Sequence, residues 1–199
     1  MKRTFILGLV LVGLISCKFE KSEFISENGI LSESRSASDL NLTEKQKKIS
    51  DAALSIVDSG IDYDPAYFSI GYPNGDVPAD KGVCTDVVIR TYRKLGLDLQ
   101  QLVHEDMKSN FNLYPKTWGL SKPDTNIDHR RVPNLMVYFS RFGKEKPMTE
   151  NAEDYLPGHI VCCRLPNGMP HIGMIVNEKS EHEKRFKIVH NIGGGQVLE

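Results

Sequence analysis

Apolar positions recur at helical spacing in four stretches and then change to the period of strands. Ile49, Ala52, Ala53, Ile56 and Val57 share one helical face, behind a capping-box sequence at Thr43-Glu44-Lys45-Gln46 and ahead of a stop at Gly60. Val87, Val88, Tyr92 and Leu95 predict a second helix that starts at or just before Cys84 and stops at Gly96. Leu99, Leu102, Val103 and Met107 predict a third, capped by Asp98. Leu135, Met136, Phe139 and Phe142 predict a fourth from Pro133 to Gly143. Beyond these, 160–165 and 171–176 are short apolar runs separated by the turn Pro166-Asn167-Gly168. Residues 185–190 alternate, with Phe186, Ile188 and His190 on one face. The pattern predicts an α+β domain from residue 43 to 199, with N-terminal helices packed on a small antiparallel sheet. Two stretches carry no period. Residues 63–81 are rich in Pro, Gly, Asp and aromatics. Residues 112–131 are irregular, and loops of that length in a compact domain are usually functional.

The strand pattern brings chemistry with it. The loop joining residues near 177 and 185 sets His171 against residue 190 or 191. In one such register His171 faces His190, Gly173 faces Ile188 and Ile175 faces Phe186, all on one side. Two imidazoles then meet at the open end of the sheet. A helix packing by Val87, Val88 and Tyr92 brings Cys84 to that end. Cys84 lies in the first helical turn, where unpaired N–H groups and the dipole favour a thiolate. This points to a Cys84 nucleophile, a His171 base and a His190 orienter, with Asn191 as a competing orienter. The same Cys and two His residues also make a conceivable zinc set, although no CxxC or HExxH spacing supports it.

Around this constellation, Tyr72, Asp86, Trp118, Asp128, His129, Arg130, Arg131 and Asn191 are the candidate substrate-binding residues. Arg130 and Arg131 suit bidentate recognition of a substrate carboxylate, and ion pairs to Asp128 or Asp124 are the structural alternative. Asp86 is expected to turn aside from the thiol, capping a backbone N–H or pairing with an arginine. No cofactor is called for.

Composition narrows the setting. A net charge of −1 gives no basic excess for nucleic acid. Met1-Lys2-Arg3 followed by an apolar run to Ser16 predicts a secretory leader. Its end, Leu14-Ile15-Ser16-Cys17, resembles a bacterial lipobox, which implies lipidation at Cys17 after removal of the leader (1–17) and an outer-membrane-anchored or periplasmic address. Residues 18–42 are polar and serine-rich, a tether between lipid and domain. Without Cys17, the remaining cysteines are Cys84 and the neighbours Cys162 and Cys163. The neighbours point to opposite strand faces and suit buried hydrophobic positions, so Cys84 is the thiol that needs a role.

Gly71-Tyr72-Pro73, Gly82-Val83-Cys84-Thr85-Asp86, the run from Asn126 to Leu135, His171-Ile172-Gly173 and His190-Asn191-Ile192-Gly193 resemble the bacterial domain-of-unknown-function family 1287 from about residue 45 onward. That family is similar to the NlpC/P60 and CHAP cysteine hydrolases. The resemblance implies a papain-like core, a Cys84–His171–His190 triad and cleavage of peptidoglycan stem-peptide amides. A non-catalytic envelope-binding module and a thiol acyltransferase are the alternatives on the same fold. Pro157-Gly158-His159 stands where those relatives usually have Pro-Gly-Asp, and the family's C-terminal strand is expected to be missing.

Overall fold

The computed structural model describes residues 42–181 and 185–199. The leader, Cys17 and most of the tether lie outside them. The described residues form a mixed α+β unit, with helices α1 (Glu44–Leu54), α2 (Cys84–Lys94), α3 (Leu99–Asn110) and α4 (Val132–Phe142). The sheet is antiparallel, ordered β3 (Ile160–Arg164), β4 (Pro170–Lys179), β5 (Phe186–His190), β6 (Val197–Leu198). Two further short strands, β1 (Asp62–Tyr63) and β2 (Lys81–Gly82), pair in parallel and bracket the loop read as irregular from sequence.

Each predicted helix forms, and local chemistry explains its start. The Thr43 hydroxyl accepts from the Gln46 N–H at 3.2 Å while the Gln46 side chain accepts from the Thr43 N–H at 3.0 Å. Asp98 caps α3 by accepting from the Gln100 N–H. Helix α1 ends at Leu54 instead of running to Gly60. Ile56 and Val57 donate to Ala53 and Leu54, three residues back, which tightens the last turn. Asp58 is then drawn into a bridge with Gln196.

The helices cover one face of the sheet. Ile172, Met174 and Val176 of β4 and Val189 of β5 are fully buried against Ala53, Cys84, Val87 and Val88. Alternation then places His171, Gly173 and Ile175, with Ile188 and His190, on the other side. Cys162 packs toward the helical core, and Cys163 pairs with His171 across β3 and β4. All three described cysteines are free, as the spacing suggested.

The hairpin register differs from the expected one by two residues. Ile175 pairs with Ile188 and Met174 with Val189, so Gly173, not His171, lies opposite His190. The cause is a bulge between Ile175 and Lys179, which lets β4 run on to Lys179. A shift of two preserves the faces, so both histidines stay on the same side. At the sheet edge, Val197–Leu198 pairs with β5.

Candidate active site

The start of α2 is held by a buried ion pair. Val83 is the cap residue, with extended backbone, and its N–H donates to Asp86 Oδ2 at 2.7 Å. Arg130 reaches the same carboxylate, with Nη2–Oδ2 at 3.0 Å and Nε–Oδ1 at 3.0 Å. Its other N–H groups donate to the carbonyls of Ala66 and Asp64. The Thr85 hydroxyl donates to the Arg130 carbonyl. One guanidinium thus ties the helix start, the 128–130 turn and the 64–66 loop together. Asp86 both caps an N–H and pairs with an arginine, the two roles predicted for it. Four of the five Arg130 N–H groups are engaged in these bonds and its side chain is 1% exposed, so the structure places it in the scaffold and not at a surface open to a substrate carboxylate. Asp86 is corrected likewise.

This scaffold presents Cys84 in the first turn of α2. The backbone N–H groups of Ile172, Thr85 and Cys84 itself lie near the sulfur and favour a thiolate. Burial nevertheless prevails. It pushes the Cys84 thiol up to about 11, with the Asp86 carboxylate adding in the same direction. The expectation of a ready thiolate is therefore corrected. A helix N-terminus contributes about 0.3–1 kcal/mol, and loss of solvent around a nearly enclosed sulfur costs more.

The two imidazoles stand at the neighbouring strand ends. His171 Nε2 and His190 Nδ1 are 2.8 Å apart, with the rings edge-on at 69°. His190 Nε2 lies 3.0 Å from Glu199 Oε2. Burial, and then the charge of His190, push His171 down to about 4, so its ring is neutral near pH 7. Ile172, whose backbone N–H lies near the sulfur, directly follows His171 in β4, so the start of α2 and the two imidazoles stand at the same end of β4, the thiol packed on one face of the sheet and the rings on the other. Of the two residues the sequence offered as partner to His171, His190 makes the contact. Asn191 is buried, and its Oδ1 accepts from the Gly193 N–H instead of meeting His171.

Tyr63 is a site residue that pattern reading missed. Its hydroxyl shares a side-chain hydrogen bond with Cys84. It is pushed up to about 12, by burial first and then by the thiol's charge, so it stays a donor. Tyr63 is 42% exposed, whereas Cys84 is 4% exposed. Only the β1–β2 pairing, Tyr63 to Gly82, brings it to the thiol. Glu199 was missed as well, since no local motif marks it.

The remaining candidates sit elsewhere. Arg131 pairs with Asp128 at 3.0 Å and stacks over Trp118 at 4.1 Å, a loop-bracing arrangement. Asp128 is buried and accepts from the Asp124 N–H, and burial raises its carboxyl. His129 is buried and pushed down to about 3, by burial first and then by the Arg130 and Arg93 charges. Asp128 and His129 are thus corrected from substrate contacts to packing residues. Tyr72 stacks edge-on with His104 at 5.1 Å, and its ring remains exposed. In the Pro157-Gly158-His159 turn, His159 Nδ1 accepts from the Leu156 N–H and so supplies the turn with a side-chain acceptor.

The zinc alternative is not favoured by the donor geometry. His171 and His190 turn nitrogens toward each other, and no group of three or more His, Cys, Asp or Glu among the described residues is placed to hold a metal.

Gly173 makes the imidazole contact possible. A Cβ there falls 2.6 Å from Ile188 Cδ1 and 3.1 Å from His190 Cβ. Gly173→Ala is expected to destabilise the domain by about 1–3 kcal/mol through overpacking and to push His190 from His171. Urea unfolding measures the first effect, and the imidazole hydrogen-bond resonance measures the second. An unchanged midpoint with an unchanged resonance contradicts this.

The comparisons agree on relationship. A family model described as "Domain of unknown function (DUF1287)" matches residues 50–199. The "Uncharacterized protein YijF" of Escherichia coli (strain K12) is 51% identical over 151 residues, covering 76% of this chain and 73% of that protein. No solved structure matches.

Proposed function

The chain belongs to the DUF1287 family, and from that premise we propose that it is a cell-envelope thiol amidase or peptidase with a papain-like core, acting on peptidoglycan stem peptides. The observation that carries this reading is the 2.8 Å contact between His171 and His190, at the strand end whose Ile172 N–H lies near the Cys84 sulfur. A paired imidazole, held neutral, and a buried thiol at a helix start are the groups that general-base attack on an amide needs, and in this reading the His171 ring turns past the strand end to reach the sulfur.

With the thiol high and the imidazole low, the resting site is neutral on both sides. His171 takes the Cys84 proton as the sulfur attacks the amide carbon, so no thiolate accumulates beforehand. The backbone N–H groups at the helix start and the Tyr63 hydroxyl are the donors for the developing oxyanion. Collapse breaks the C–N bond, and His171 passes its proton to the leaving amine. Water then attacks the thioester with His171 again as base, which releases the acid and restores the thiol. Acyl transfer to an amine diverges only at that last step. The envelope setting rests on the leader and lipobox-like sequence, which lie outside the described residues.

The test is incubation of the full chain with purified peptidoglycan and with synthetic stem peptides, products read by mass. New amine and acid ends at one amide position are expected. An unaltered substrate set in both arms removes the hydrolase reading and leaves an envelope-binding module as the better account.

A further inference from the structure

From the geometry we infer that Glu199 is a positioning residue that fixes which nitrogen of His171 carries the proton, acting through His190. The catalytic meaning of this rests on the thiol-hydrolase reading above, whereas the proton arrangement itself does not.

A carboxylate oxygen only accepts hydrogen bonds. Glu199 Oε2, 3.0 Å from His190 Nε2, therefore requires the hydrogen on that nitrogen. A neutral His190 then has a bare Nδ1. That nitrogen, 2.8 Å from His171 Nε2, accepts, so the His171 hydrogen sits on Nε2. By exclusion Nδ1 of His171 keeps its lone pair, and it is the only ring nitrogen left to take the thiol proton. Each bond determines the next, and the chain has one direction. The reverse order places a second hydrogen on His190 and so makes it a cation beside His171. A charge on His190 opposes the uptake of a proton by His171, which burial of the His171 ring already disfavours.

Without the carboxylate the two neutral orders become comparable in energy. In one of them His171 carries its hydrogen on Nδ1 and is no base toward the sulfur. Glutamine in place of Glu199 can go further, because its amide N–H can donate to His190 Nε2 and impose the wrong order on both rings. This parallels the loss seen when a triad carboxylate becomes an amide. The Glu199 side chain is 41% exposed, so the fold tolerates its replacement. The backbone of the residue is held independently, by two bonds to Ile188 of 2.7 and 3.0 Å.

The experiment is nitrogen-15 spectroscopy of the histidine rings at neutral pH. It uses the full chain, then Glu199→Gln, Glu199→Ala and Glu199→Asp. The expected result is hydrogen on Nε2 of both His171 and His190 in the unmodified chain. A shift toward Nδ1–H is expected in the Gln and Ala variants, and retention of the original order in Asp. Rings that are indifferent to Glu199→Gln, or a His171 already carrying its hydrogen on Nδ1, overturn the inference. Turnover of stem peptide is read in parallel. Glu199→Gln should lower kcat roughly a hundredfold with KM little changed, within the range expected of acid–base catalysis, and Glu199→Asp should recover part of it. A tautomer shift without turnover in the unmodified chain sustains the relay and refutes the hydrolase assignment instead.

Discussion

Cys84→Ala abolishes stem-peptide turnover, by about a thousandfold or more, while the domain stays folded. The substitution removes one sulfur from a buried position in the first turn of α2 and leaves the Asp86–Arg130 anchor untouched. His171→Ala should approach the same loss, because the thiol, pushed up to about 11, has no other means of ionising at neutral pH. The double variant should be little worse than either single one, as groups acting as a unit are non-additive. The check is kcat/KM for all three beside far-ultraviolet circular dichroism. Persistent turnover in Cys84→Ala would show that another group attacks. Losses that multiply would show that Cys84 and His171 act separately.

Arg130→Ala is expected to give the largest loss of stability, about 3–5 kcal/mol. The guanidinium and the Asp86 carboxylate are 1% and 2% exposed, so truncating one leaves the other charged and dry. Two carbonyls, Ala66 and Asp64, also lose a donor. Lysine does not substitute, since it lacks the planar fork that reaches Asp86 and the two carbonyls together. Replacing both partners by apolar residues of similar volume should cost far less than the single truncation. Denaturant unfolding of the two singles and the double measures this. A single variant within about 0.5 kcal/mol of the parent, the range of ordinary surface changes, would remove the ion pair from the account of how Cys84 is presented.

The helices were legible because their information is local. Thr43 and Gln46 cap each other three residues apart, and Val87, Val88 and Tyr92 mark their face within two turns. The convergence of His171 and His190 was legible for a related reason: strand alternation survives a slip of two residues, so the wrong register still gave the right face. Other features depended on distance. Nothing near Arg130 in the chain says that its partner is Asp86, 44 residues away, rather than Asp128 beside it. The thiol's high value arises from enclosure by residues far apart in sequence, which opposed the helix-start effect that local reading detects. Tyr63 hid in a stretch whose only regular feature is a two-residue pairing.

Gln196 carries a consequence for timing. Its side chain donates to the Ile56 carbonyl, 140 positions earlier, and accepts from Arg90, while its backbone exchanges two bonds with Asp58. Closing so long a span is entropically costly and belongs to the late events of folding. Three residues farther on stands the carboxylate that polarises the imidazoles. A newly made chain therefore assembles its sulfur-bearing helix early but arms it only once the segments around Asp58 and Gln196 are stitched together.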